Sequence, residues 1–225
     1  MIKNIANLGD AAIYCDFGSE VNKEINLKVI KYFVALRNKN LKGITNLSPS
    51  YNKLVITFDL NETSYDNLKK EIFNLDVNDK MKNNFKKVRI PTCFHEDFSL
   101  DTDRLEKRLN KSIKEIIDLF LKKKYFCYMT GFIAGMPFLG DTDNKIQLER
   151  LETPRVKVPK GSVGLTEQFC NIYTFESPGG WNIIGNTPIT IFDIMTQKAP
   201  NLISPGDEVT FYEITKKEYI TFYEK

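Results

Sequence analysis

Beyond Tyr125 the chain is interrupted at short intervals by turn signals, and GMP, TPR, VPKGS, SPGGW, GNTP and SPGDE separate apolar runs too short for packed helices. Pro and Gly reverse or stop the backbone. This half is thereby restricted to short strands, and closely spaced strands predict a small all-β barrel or sandwich.

The first half has another texture. AAIYCDF (Ala11 to Phe17) reads as a strand, and INLKVIKYFVALRNKN carries Ile25, Val29, Tyr32, Phe33 and Leu36 at helical spacing. GITNLSPSYNKLVITFDL reads as two strands meeting at SPSYN. TSYDNLKKEIFNL reads as a helix capped by Thr63 or Ser64 with an apolar stripe of Leu68, Ile72 and Leu75, and FKKVRIPTCF as a further strand. The order strand, helix, strand, strand, helix, strand is that of a ferredoxin-like, split β-α-β domain, predicted over residues 1–95. Two helices follow, DTDRLEKRLN with acidic residues at its start and SIKEIIDLFLKKK with a capping box of Ser112 and Glu115. They open a second domain, residues 96–225, as a linker ahead of the β-rich half.

Composition excludes several functions. The net charge is +3 and the lysines are dispersed apart from LKKKY at Leu121 to Tyr125, so no basic face for nucleic acid is expected. No apolar run approaches the roughly 20 residues that span a bilayer. The N-terminus lacks an apolar signal core, and the expected location is the cytoplasm. Cys15, Cys93, Cys127 and Cys170 are far apart in apolar contexts and form no CxxC pair. They read as buried reduced thiols, and no metal site is expected.

GFIAGMPFLG (Gly131 to Gly140), TPRVKVPKGSVG (Thr153 to Gly164), ESPGGW and SPGDEVTF carry a specific likeness, joined by LGDAAIYCDFG, SPSYNKLVITFD and IPTCF. Together they resemble the family of KipI and of the 5-oxoprolinase subunit PxpB, also called allophanate hydrolase subunit 1. The resemblance implies an α+β N-terminal domain followed by a cyclophilin-like β-barrel. For function it implies one of two classes. The first is a subunit of a hetero-oligomeric, ATP-dependent complex that hydrolyses 5-oxoproline to glutamate, with KipA/PxpC-like and LamB/YcsF/PxpA-like partners. The second is a KipI-type inhibitor that binds a sensor histidine kinase.

The chain contains no P-loop, GxSxG elbow, HExxH helix or dinucleotide glycine fingerprint. No cofactor is therefore expected on this chain alone, ATP being used by the complex, and no catalytic residue is assigned. The candidate ligand- or partner-binding residues are Arg150, Arg155, Ser162, Tyr173, Ser177, Gly179, Gly180, Trp181 and Asp193. Arg155 has a planar fork suited to a carboxylate or phosphate, or to a surface ion pair. Arg150 reads equally as an anion clamp or a docking residue. Ser162, between Gly161 and Gly164, reads as part of a turn, since no base accompanies it. Gly179 and Gly180 are expected at positive φ in a sharp turn that presents Trp181, either as a groove wall or as a core residue. Tyr173 and Asp193 match the family pattern, as does Asp207, which reads as a turn-fixing carboxylate.

Departures from that pattern are as informative. Phe120 stands where the family has histidine, Ala134 to Met136 where it has PGF, Phe169 to Asn171 where it has QTG, and Asn186 where it has arginine. Polar and cationic groups are thus missing around the expected groove. His95, the one histidine, reads as a loop residue.

Overall fold

The computed structural model describes residues 2–77, 85–196 and 199–223. The chain divides into two compact units, Met1–Asn84 and Phe85–Lys225.

In the first unit, β1 (Asn4–Asn7), β2 (Ala12–Asp16), β3 (Ile44–Pro49) and β4 (Lys53–Phe58) form an antiparallel sheet in the order β1-β2-β4-β3. Strict alternation along β4 turns Leu54, Ile56 and Phe58 inward, where they meet Ile13 and Cys15 of β2. Helices α1 (Lys23–Lys39) and α2 (Tyr65–Phe73) close this core with Val29 and Leu36, and with Leu68 and Ile72. Each begins where a side-chain oxygen takes an orphan N–H: Asn22 accepts from Ile25 at 2.9 Å and Ser64 from Asn67 at 3.3 Å. Leu75, expected on the apolar stripe, packs against the same core just beyond α2.

One expectation fails here. The strand predicted to complete a ferredoxin-like sheet, β5 (Lys87–Thr92), pairs in parallel with β13 (Glu208–Glu213) in the second unit. The first sheet instead takes its outer strand from β1, a four-residue segment too short to announce itself by alternation. A strand pattern states only that a segment is extended and half buried. Its partner is chosen by long-range fit.

The second unit continues with α3 (Thr102–Leu109), α4 (Ile113–Leu121), β6 (Tyr125–Thr130), β7 (Pro137–Gly140), β8 (Arg155–Val158), β9 (Ser162–Thr166), β10 (Phe169–Ile172), β11 (Ser177–Gly179) and β12 (Asn182–Asn186) ahead of β13, and ends with α5 (Lys216–Tyr223). Seven strands lie in the order β12-β9-β10-β7-β6-β13-β5. The two edges meet through a bridge in which Cys93 and Asn186 exchange backbone hydrogen bonds of 2.8 and 3.0 Å, giving a nearly closed mixed barrel. Its interior is apolar: Ile90, Cys127, Leu139, Val163, Leu165, Cys170, Ile172, Ile184, Val209 and Phe211 share one core. Leu105 of α3 and Ile116, Ile117 and Phe120 of α4 join it. The Ser112–Glu115 capping box opens α4 as expected. Phe120, fully buried, stacks near Phe211 and Tyr125 with centroids at 4.7 and 5.2 Å, so this departure from the family pattern is a packing residue. All four cysteines are free and buried.

Candidate functional site

Residues that point away from the barrel interior build the site. Along β10, Cys170 and Ile172 face inward, so Asn171 and the following Tyr173 face out. A separate ribbon of β8 and β11 lies on this outer face, Val158 packing with Met136, Tyr173 and Ile183. A cleft of about 360 Å3 opens beside the ribbon. Tyr173 and Phe138 supply its floor, Trp181 a wall, and Pro154 and Pro178 flank it. Phe132 and Arg150 stand at its exposed rim. Trp181 is half-buried, its ring edge-on to Phe138 at 5.5 Å and 80°.

The SPGGW stretch is not a left-handed turn. Neither Gly179 nor Gly180 has positive φ, and Ser177–Gly179 is strand β11. Gly179 is required for a different reason: a Cβ there would run into the Tyr173 hydroxyl and ring. Gly180 has only ordinary contacts, with Pro154 and the Leu151 carbonyl near 3.5 Å. Close approach of ribbon to barrel selects the first glycine.

Arg155 does not offer a free fork. Its Nη2 lies 2.6 Å from Oδ1 of Asp101, which is 5% exposed, and Nη1 is buried without a partner. The other Asp101 oxygen accepts the Ile183 N–H at 2.7 Å. Asp101 occupies the N-cap position of α3 yet makes no side-chain cap bond. Its carboxylate instead ties β12 to the ribbon, a role that reading it as an ordinary helix-start acid missed. Arg150, by contrast, makes no ion pair among the described residues and is the one charged group lining the cleft.

Burial holds the Tyr173 phenol above its ordinary range; the nearby Asn171 amide, Trp181 backbone and Arg155 oppose this and Asp101 adds to it. The Asn171 amide is close to that hydroxyl but outside hydrogen-bonding geometry, and both its polar atoms are buried without partners. Ser177 Oγ is buried and unpartnered as well.

Other candidates lie away from the cleft. Ser162 is buried at the start of β9, its carbonyl accepting from the Tyr173 N–H at 2.9 Å. The preceding turn needs Gly161, at φ +81°, because a Cβ would strike Asn186 and the Thr187 carbonyl. Asp193 is exposed and accepts the Met195 N–H at 2.9 Å within its own turn. Asp207 accepts the Lys86 and Ser204 N–H groups at 2.8 and 2.9 Å, and so fixes the turn into β13. His95 is exposed in a loop, 3.5 Å from Asp97.

Asn186 is structural. Its amide donates to the Lys160 carbonyl at 2.9 Å and its oxygen accepts the Tyr219 hydroxyl at 2.8 Å, joining α5 to the barrel seam. Tyr219→Phe keeps the ring against Phe98 and deletes only this donor. The expected loss is about 1–2 kcal/mol in denaturant unfolding, and an unchanged midpoint would remove the latch from the stability of the barrel.

The cleft can bind more readily than it can react. It offers aromatic walls, one cation and no nucleophile beside a base. Sequence reasoning located Tyr173, Trp181 and Arg150, and missed Phe132, Phe138, Pro154 and Pro178. For Phe132 and Phe138 the available signal was two aromatics within the already conspicuous GFIAGMPFLG.

Comparison with known proteins gives the context. The chain is 29% identical over 233 residues to the B-type subunit of 5-oxoprolinase from Bacillus subtilis, covering 98% of this chain and 97% of the relative. It is 37% identical over 124 residues to the corresponding 5-oxoprolinase subunit of Haemophilus influenzae, 55% of this chain and 58% of that one. Among solved structures, TTHA0988 superposes with a TM-score of 0.80 at 28% identity over 91% of this chain, which spans only 40% of that longer polypeptide. The family described as carboxyltransferase domain, subdomain C and D, matches residues 3–203. With nearly the whole chain matched and the barrel shared, this protein belongs to the carboxyltransferase subdomain C and D family, that of KipI and the 5-oxoprolinase subunit PxpB.

Proposed function

We propose that the chain is the B-type subunit of an ATP-dependent 5-oxoprolinase, acting with KipA-like and LamB/YcsF-like subunits that supply nucleotide binding and hydrolysis. The observation that carries this reading is the cleft, an aromatic pocket with one uncompensated guanidinium and no nucleophile–base pair, in a chain that aligns end to end with a 5-oxoprolinase subunit of the B type. Such a pocket suits a compact ring bearing a carboxylate: the ring lies against Trp181 and Tyr173, and Arg150 takes the carboxylate. No observation favours the kinase-inhibitor alternative.

Co-expression with the two partner types, followed by ATP-dependent 5-oxoproline hydrolysis, tests the reading. The isolated chain should be inactive and the complex active. Arg150→Ala in the assembled complex should raise KM for 5-oxoproline about 10- to 100-fold, the range for losing a charge-assisted hydrogen bond. An active complex whose KM ignores this change would move the carboxylate site elsewhere, and an inactive complex would sink the subunit assignment.

A further inference from the structure

Three loops of the second unit are keyed together around the half-buried ring of Phe192. The Phe175 ring meets it edge-on at 5.9 Å, Gly135 (φ +69°) packs so closely that a Cβ would enter the ring, and Thr174 Oγ1 donates to the Ala134 carbonyl at 2.7 Å. From this knot four large apolar side chains project into solvent: Phe132 is 70% exposed, Phe175 44%, Ile194 75% and Met195 83%.

Folding does not ask for them. Ile194 and Met195 occupy the two central positions of the Asp193 to Thr196 turn, closed by Thr196 N–H to the Asp193 carbonyl at 3.1 Å, where small polar residues or glycine cost least. Phe132 sits at φ +69°, a left-handed conformation that costs a bulky residue on the order of 1 kcal/mol. Among the described residues of these three loops, the acidic side chains are already engaged. The Asp193 carboxylate holds its own turn and Glu176 pairs with Lys157 at 3.0 Å. Single exposed hydrophobics are ordinary, but a charge-poor cluster on interlocked loops marks an interaction surface.

The longer relative indicates what covers it. TTHA0988 matches 91% of this chain with only 40% of its own length, so there further polypeptide accompanies the matched fold. We propose that the surface of Phe132, Phe175, Ile194 and Met195 docks a separate subunit that carries what the longer relative holds on the same chain, through an apolar contact of the permanent kind. Because Phe132 also stands at the cleft rim, the docked subunit borders the cleft. The inference rests on the subunit reading above and adds to it the docking face.

The test uses the full chain and a co-expressed KipA-like subunit, with affinity read by titration and assembly by sedimentation. The double variant Ile194→Asp/Met195→Glu changes only exposed turn residues and should melt within a few degrees of wild type, while its affinity falls about 100-fold or more, the effect expected when charge enters the centre of an apolar interface. Ile194→Ser/Met195→Ser, which adds no charge, should give a smaller loss in the same direction. Lys217→Glu on α5 should leave affinity unchanged. Equal affinity of wild type and both double variants overturns the docking face and leaves the subunit reading standing. A wild-type chain that does not pair with the subunit overturns both. Self-association of the wild type, abolished by the double variants, assigns the face to a second copy and overturns the proposal.

Discussion

Raising the pH from 8 to 10 is expected to destabilise this protein progressively, through thiols rather than through surface charge. Cys15, Cys127 and Cys170 are each 0% exposed. Burial pushes the Cys15 thiol up to about 12 and holds Cys127 and Cys170 higher than an ordinary thiol. In the unfolded chain each ionises near 8.5. A folded value above the unfolded one means that the stabilisation is complete below about pH 8.5 and is lost as the pH climbs towards the folded values. At pH 10 each thiol costs about 2 kcal/mol, so the barrel, with Cys127 and Cys170, loses about 4 kcal/mol and the first unit, with Cys15, about 2. Buried Tyr125, also shifted upward by burial, adds to the loss above pH 10. Urea midpoints between pH 7 and 10 measure this directly. A Cys127→Ala/Cys170→Ala variant should show a flatter dependence from a lower starting stability, and a wild-type midpoint independent of pH across that range would refute the assignment.

Asp101→Ala is the single change expected to damage the site most. It removes a 5%-exposed carboxylate, strands the Ile183 N–H and leaves the Arg155 guanidinium without the partner that holds the ribbon on the barrel. Breaking a buried pair on one side typically costs about 3–5 kcal/mol. Arg155→Met should cost less, because Asp101 keeps its hydrogen bond to Ile183 and the methionine retains much of the packing. Denaturant unfolding of both single variants and the double variant gives the coupling as well as the totals. If Asp101→Ala cost no more than Arg155→Met, the carboxylate would not be the anchor of the ribbon. Trp181 fluorescence should report the loosening of the cleft wall in Asp101→Ala under conditions where the barrel is still folded.

Local chemistry is legible in the residues. Alternation marked β2 and β4, helical spacing and side-chain caps marked α1, α2 and α4, and the density of Pro and Gly marked the β-rich half, because each depends on neighbours within a few positions. Phe120 was readable as a core residue from its type and its place on an apolar helix face, and Asp207 as a turn-fixing acid from SPGDE. The family motifs likewise brought attention to Tyr173, Trp181 and Arg150, which the structure gathers at one cleft.

Long-range packing set what local pattern could not encode. Lys87–Thr92 is an extended segment in either half; its pairing with Glu208–Glu213, far along the chain, made it a barrel strand. Gly179 looked like a turn glycine, yet its lack of a side chain matters because a tyrosine just beyond another strand occupies that space. Asp101 looked like one of the acids at a helix start, and Arg155 like an anion clamp or a surface ion pair, until folding placed one beside the other. Propensity and capping are short-range terms, settled by residues a few positions apart. Which buried charge finds which partner, and which apolar residue is left facing solvent, follows from the packing of segments distant in the chain, and those contacts exist only once the barrel has closed.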